Sequence, residues 1–365
     1  MTKEQRDKRM GLSTISPLRL SRATYNRNRT FQVSGEIAMS KFTGFLLGLL
    51  LLCAAATAHA QSYPNRPIRL IVSIAAGSVT DVIVRNATIQ LAPRLGQPLI
   101  IENRGTASGI IAAQACAHAT PDGYTLCVLH HDAMSYNPLH FANLPYDPVR
   151  DFTPIARLYF INEGIFASSA LGVSSVADIK AIAQSSPDKL NFATLGDGSF
   201  PDLFLRWLNN QWGTKIVGIP YAGGGPAAQA VAANQVQITK FGIGNFLGLV
   251  RAGTVKAIAV SSEKRTPLLP EVPTLEEAGL GGYPGKGWWG LLAPKGTPAE
   301  VVAKLNAEFT KLFSEPEFVA YLDQQAAVAA PTSFEEFARF LVEDRKSAEA
   351  LGKIANTKRQ EYKAE

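Results

Sequence analysis

The chain has 365 residues, 46% of them hydrophobic and 18% charged, which excludes a disordered or fibrous protein and can fill one large core or two medium ones. Its formal charge of +6 reflects 36 Lys/Arg against 30 Asp/Glu, but nine of those bases and only three of the acids fall within residues 1–60. The 27 bases and 27 acids from Gln61 onward leave no basic surface for DNA or RNA.

The first element is a targeting segment. Lys41 precedes the apolar run Phe45–Ala56, and Ala58-His59-Ala60 follows as a small-x-small cleavage signal. This is the pattern of a cleaved secretory signal peptide over residues 39–60, and the run is shorter than the roughly 20 apolar residues of a membrane span. Met39 stands where such a signal would begin, so residues 1–38 read as an over-long start or a disordered leader. The exported remainder is long enough for two domains.

That remainder opens on Ile68–Ser73, a β-branched run that reads as a buried strand, followed by the small-residue loop Ala75-Ala-Gly-Ser78. A helix is predicted from Asp81 to Leu95, with Ile83, Ala87, Leu91 and Leu95 on one face and Gly96 as its stop. Leu99–Glu102 reads as a strand, Ile110–Ala119 as a helix and Tyr124–Leu129 as a strand. Cys116 and Cys127 lie on that helix and strand. An exported chain permits a disulfide between them, and two buried thiols fit the same pattern. Without C-x-x-C spacing, two thiols do not make a metal site.

The alternation resumes with a strand at Leu190–Thr194, a helix at Leu203–Trp212, a helix from near Pro226 and a strand at Val255–Ser261. Leu291–Pro294 reads as a returning strand, and Pro298–Phe313 and Phe334–Leu351 as amphipathic helices. Tyr146–Arg157 and Gly281–Gly287 look like crossings between two αβ lobes. The expected architecture is α/β, with mostly parallel sheets flanked by helices.

Three strand–loop–helix junctions carry small residues: Ser73–Asp81, Ala193–Asp202 and Tyr221–Ala227. A helix start offers unpaired N–H donors and a partial positive charge, and glycine lets a ligand approach the backbone. None of the three contains Lys or Arg, and there is no P-loop. Backbone amides and hydroxyls without a cation suit a small carboxylate better than a phosphate.

Several stretches resemble one family: Tyr63–Val72, Leu95-Gly-Gln-Pro98, Glu102-Asn-Arg104, Pro121–Leu126, Leu144–Pro148 with Asp151–Ile155, Pro220-Tyr-Ala-Gly-Gly224 and Pro270–Gly279. Over residues 61–365 the chain is similar to the Bug (Bordetella uptake gene) family, the periplasmic solute-binding receptors of tripartite tricarboxylate transporters. The resemblance implies a two-lobed periplasmic-binding-protein (Venus-flytrap) fold, with lobe 1 at 61–160 and 288–365 and lobe 2 at 161–287. It implies a monomeric periplasmic receptor that binds a small carboxylate and meets membrane permease subunits, with no cofactor, metal, nucleic acid or catalytic residue. By position, the ligand contacts carried over are Ala76, Gly77, Ser78, Thr80 and Asp81 from one lobe, and Thr194, Gly196, Ser199, Tyr221 and Gly223 from the other. Asp81 reads as a helix cap or a water-orienting group, since it would repel a carboxylate.

The chain departs from the family pattern at Ser73-Ile74, at Ser78-Val79 and at Gln237. It also carries His130-His131-Asp132 where a small polar segment is usual. If they face the cleft, these three residues meet the far end of the ligand, and Asp132 favours a hydrogen-bond donor there. Trp288-Trp289 reads as hinge or core packing or as a stacking surface. Competing functions are a receptor presenting its ligand to a membrane sensor kinase, and a hydrolase using Ser199 with His130 or His131. The hydrolase lacks a G-x-S-x-G elbow. A dinucleotide enzyme would rest on Gly242, Gly244 and Gly248, whose spacing is wrong.

Overall fold

The computed structural model describes residues 63–105, 107–283 and 285–363, so the leader and the signal peptide lie outside the described residues. In chain order, β1 (Ile68–Val72) leads into α1 (Val79–Leu95), β2 (Leu99–Asn103), α2 (Ile110–Ala117) and β3 (Thr125–His130). A π-helical turn at Asp132–Tyr136 and the short α3 (Asn137–His140) precede β4 (Phe152–Ile161). Next come β5 (Glu163–Ser168), α4 (Val176–Ser185), β6 (Asn191–Thr194), α5 (Phe200–Trp212), β7 (Val217–Pro220), α6 (Gly224–Ala232) and β8 (Ile238–Gly242). Then follow α7 (Leu247–Arg251), β9 (Val255–Val260), β10 (Gly287–Pro294), α8 (Ala299–Ser314), α9 (Pro316–Gln324), β11 (Ala327–Ala329) and α10 (Phe334–Ile354).

Local chemistry sets these boundaries. Ile83, Ala87, Leu91 and Leu95 of α1 are all buried, as the helical spacing predicts. Gly96 then ends the helix at φ 73°, its N–H returning to Ala92 O. At α10, Ser333 Oγ accepts the Glu336 N–H while the Glu336 carboxylate accepts the Ser333 N–H, a reciprocal cap. Cys116 on α2 and Cys127 on β3 form a disulfide, with Cα atoms 6.2 Å apart.

Two sheets result, in the orders β11-β4-β10-β3-β1-β2 and β7-β6-β8-β5-β9. The α/β class and two-lobed plan stand, but the sheets are mixed rather than mostly parallel. β1 pairs parallel with β2 and β3, and β6 with β7 and β8, whereas β10, β11 and β5 pair antiparallel with their neighbours. The reason is the route of the chain. Strands β1, β3, β6, β7 and β8 all deliver their C-terminal ends to the junction between the sheets. A strand entering a sheet from that junction must run the other way, and β5 and β10 do so, each inserted between two strands of opposite sense. The passage to the second sheet is the single residue Asn162 between β4 and β5, not Tyr146–Arg157, because Phe152–Ile161 pairs fully within the first sheet.

The first sheet is filled on one face by α1, α8 and α9, with Leu70, Val72, Leu91, Leu305 and Phe313 among the buried residues. Its other face packs Ile110, Trp288, Phe337 and the disulfide. Ile165, Phe192, Phe204 and Ile258 form a second core on the second sheet. Burial of these side chains contributes on the order of 1.5–3 kcal/mol each and fixes both sheets as platforms for the loops at their C-terminal ends.

Candidate ligand-binding site

The three glycine junctions converge. The first loop follows β1, the second follows β6 and the third follows β7, so one comes from the first sheet and two from the second. The first bonds directly to the third and to Asn245 in the turn after β8. Ala75 N–H donates to Ala222 O (3.1 Å), Gly225 N–H to Ser78 Oγ (3.2 Å) and Val79 N–H to Asn245 Oδ1 (2.8 Å). Backbone approach of this kind tolerates no side chain. A Cβ on Gly105 would stand 2.0 Å from Ala75 N and 2.6 Å from Ala222 O.

Within the first loop, Asp81 is a structural tie. Its Oδ2 accepts Gly77 N–H and Arg85 Nε, both at 2.9 Å, and its Oδ1 accepts Asn103 Nδ2 at 2.8 Å. Burial works against its charge, but these donors outweigh burial and hold its pKa below the usual carboxylate range. Ala76 and Gly77 are exposed, while Ser78 and Thr80 are buried. Thr80 Oγ1 accepts the buried Tyr159 hydroxyl at 3.0 Å. The Thr80 and Asp81 amides, in the first turn of α1, have no acceptor among the described residues.

The second loop is self-satisfied. Gly196 N–H donates to Thr194 Oγ1 (3.2 Å), Leu195 N–H to Ser199 Oγ (3.3 Å), and the Ser199 hydroxyl to Gly196 O (2.6 Å). Tyr221 N–H donates to Thr194 O, and Gly223 is packed against Ser78 Oγ. Tyr221 and Gly196 also border an outer groove of about 820 Å³ with the C-terminal residues Gln360–Lys363.

A cavity of about 50 Å³ lies between these loops. Ser78, Thr80, His130 and His131 line it among the residues picked out from the sequence, with Gly224, Asn245, Trp289 and Glu163. Its remaining walls are largely apolar: Ile74, Val79, Ile161, Leu195, Pro201 and Phe241. Trp289 stacks on His130 with ring centroids 4.7 Å apart, whereas Trp288 is core, packed edge-on to Phe337 and Phe340.

His130 and His131 are placed by the end of β3 and the π-helical turn behind it. His130 Nδ1 meets Ser73 Oγ at 2.8 Å, and its Nε2 stands 3.4 Å from Asp132 Oδ2. His131 Nδ1 lies 3.2 Å from Trp288 N and 3.4 Å from Trp288 O, and its Nε2 stands 3.5 Å from Asp132 Oδ1. Burial lowers the His131 pKa to about 4, against the pull of Asp132, so the ring is neutral at pH 7. Asp132 does not line the cavity. It is fully buried behind both rings, and its Oδ1 accepts Phe200 N–H at the start of α5 (2.9 Å). Burial opposes its ionisation, but His131, His130 and that amide together hold its pKa below the ordinary value. The α5 N-terminus is therefore already filled by a carboxylate of the protein.

Glu163 and Lys240 escaped the sequence reading. They lie on adjacent strands β5 and β8 and form a buried ion pair, with side chains 8% and 1% exposed. Lys240 Nζ also sits over the Phe200, Phe204 and Tyr283 rings at 4.5, 5.2 and 5.5 Å. Burial raises the Glu163 pKa and Asp132 adds to the rise, while Lys240 opposes it. Their sequence signal is one acid and one base in otherwise apolar strands, Glu163-Gly-Ile-Phe and Ile238-Thr-Lys-Phe.

The Ser–His arrangement of a hydrolase is not assembled: the Ser199 hydroxyl donates to a carbonyl, and His130 Nδ1 is bonded to Ser73. Gly242–Gly248 leads through a turn into the five-residue α7, and a Cβ on Gly244 would stand 2.5 Å from Val79 Cγ2, so no dinucleotide crevice opens there.

A model of the tripartite tricarboxylate transporter family receptor matches residues 83–356. The chain is 33% identical over 316 residues to a UPF0065 protein of Bordetella bronchiseptica, spanning 87% of this chain and 93% of that one. The solved periplasmic binding protein BugD superposes with a TM-score of 0.78 at 31% identity, over 82% of this chain and 100% of that one. MatC of Rhodopseudomonas palustris, solved with bound malate, gives a TM-score of 0.74 at 34% identity, over 79% and 99%. The family model describes a receptor, and BugD is a periplasmic binding protein; neither is an enzyme.

Proposed function

Since this chain belongs to the tripartite tricarboxylate transporter receptor family, we propose that it is an exported periplasmic receptor whose two lobes close on a small organic carboxylate. We take the lobes as residues 61–160 with 288–365 and residues 161–287, each built chiefly on one sheet. The observation that carries this reading is the meeting of glycine loops from both sheets around one buried cavity. The unpaired Thr80 and Asp81 amides at the start of α1 supply donors for an anion there.

Ligand exchange opens the bonds that join the loops. A bound carboxylate replaces Ser78 Oγ as acceptor for Gly225 N–H and Asn245 Oδ1 as acceptor for Val79 N–H. Ala76, Gly77, Ser78 and Thr80 then hold it from one side. Gly223, Gly196, Thr194, Ser199 and Tyr221 shape the other, and Asp81 keeps the first loop in register. His130 and His131 face the far end of the ligand, with Asp132 fixing the rings. The closed, liganded receptor is the form a permease of the tripartite transporter would receive, because a ligand shifts the balance toward the state it binds best.

The test is a thermal-shift screen of residues 61–365 against a panel of organic acids. A true ligand at 100 times its dissociation constant adds about 2.7 kcal/mol of stability. A shift with one class of acid supports the reading; no shift with any carboxylate overturns it.

A further inference from the structure

Deepening the proposed carboxylate site, and resting on it, we propose that Glu163, backed by Lys240, closes the far wall of the cavity to a second carboxylate, so that this receptor selects monocarboxylates. The malate-bound neighbour holds a ligand with two carboxylates, and such a ligand needs a cation or a second set of donors at its far end. In this chain the far wall offers the opposite. Glu163 lines the cavity, whereas Lys240 is not among the lining residues and is held behind it by the ion pair and three aromatic faces. A second acid, Asp132, is buried behind His130 and His131, close enough to Glu163 to act on it electrostatically.

No Lys or Arg lines the cavity among the described residues. His131 faces it as a neutral ring, its Nδ1 already engaged by the Trp288 backbone. The rest of the surface, including Ile161, Leu195, Phe241 and Trp289, suits an apolar ligand body. A dianion entering this space would bring its second charge against Glu163 in a region shielded from water, where like charges repel strongly. Glu163 thus stands where a ligand's second carboxylate would otherwise claim Lys240.

The experiment is a calorimetric comparison of acids that differ only in the second carboxylate: butyrate against succinate, 3-hydroxybutyrate against malate, hexanoate against adipate. Residues 61–365 are titrated as the native sequence, as Glu163→Gln, and as Glu163→Gln/Lys240→Met, which keeps the buried site neutral should the single variant fold poorly. The native protein is expected to bind one of the monocarboxylates at least tenfold more tightly than its dicarboxylate partner. Glu163→Gln, which frees Lys240, should narrow that ratio at least tenfold by gaining dicarboxylate affinity. The double variant, with neither the repelling charge nor a cation to replace it, should narrow the ratio by a smaller gain in dicarboxylate affinity than Glu163→Gln shows. Equal or tighter binding of the dicarboxylate by the native protein overturns the inference and leaves the carboxylate receptor standing. Binding of no acid in the panel overturns both.

Discussion

The two sides of the cavity handle buried polarity in different ways. The loop side, built from Ser73–Asp81, Ala193–Asp202 and Tyr221–Ala227, joins the two sheets through neutral groups, main-chain donors on carbonyl, hydroxyl and side-chain amide acceptors, and keeps its carboxylates, such as Asp81, for ties within one loop. The far side uses charges and imidazoles: the Glu163–Lys240 pair and the His130-His131-Asp132 turn. Neutral hydrogen bonds can exchange one acceptor for another at small net cost, which suits a surface that must open for a ligand. A buried ion pair tolerates no such exchange, because either partner alone is strongly destabilised. The loop side is thus suited to exchange, and the far side to a fixed shape and charge.

Variants that break the far side should therefore have the larger effects. Lys240→Met leaves Glu163 buried without its cation and should cost about 3–5 kcal/mol in urea denaturation. Glu163→Gln/Lys240→Met should recover most of that loss, and a single variant costing less than about 1 kcal/mol would contradict the assignment of a fixed charged wall.

The next effect is on pH dependence. The unfolded chain protonates His131 near pH 6.5, whereas the buried ring holds out to about 4. The unfolded state therefore binds more protons between these values. Stability from this group is complete above pH 6.5 and falls as pH drops toward 4, by about 3 kcal/mol in all. His131→Gln should remove that share of the slope in denaturation curves taken from pH 7 to 4; an unchanged slope would show that His131 does not carry it.

On the loop side the expected costs are smaller. Gly198 has φ 73°, and a Cβ there would stand 2.3 Å from His140 Cγ, so Gly198→Ala should cost about 2 kcal/mol. Asp81→Asn keeps the side chain's size but weakens its bonds to Gly77, Arg85 and Asn103, and should cost about 1 kcal/mol. Thermal melts rank the two. If Asp81→Asn proves as damaging as Lys240→Met, the contrast between the two sides fails.

The same contrast explains how much was legible in the sequence. Helical stripes such as Ile83–Leu95, stops such as Gly96 and glycine-rich junctions are local patterns, and they placed the αβ alternation and the three loops. The mixed sense of the sheets was hidden because β4, β5 and β8 were not identified from their sequences, and strand direction depends on where the chain crosses between sheets. The Cys116–Cys127 disulfide and the alternative of free thiols share one sequence pattern, so only the fold decides between them. The Glu163–Lys240 pair joins residues 77 positions apart through strand pairing, and a lone acid in a strand carries no local mark of its partner. Asp132 was visible as an unusual residue, but its place behind the histidines follows from the π-helical turn.

The most direct test of the central claim is a crystal structure of residues 61–365 grown with the acid that gives the largest thermal shift. The account predicts a carboxylate within hydrogen-bonding distance of the Thr80 or Asp81 amide and of the Gly224–Gly225 backbone, with the uncharged end of the ligand toward His130, His131 and Glu163. An acid seated elsewhere, with Gly225 N–H still on Ser78 and Val79 N–H still on Asn245, would contradict it.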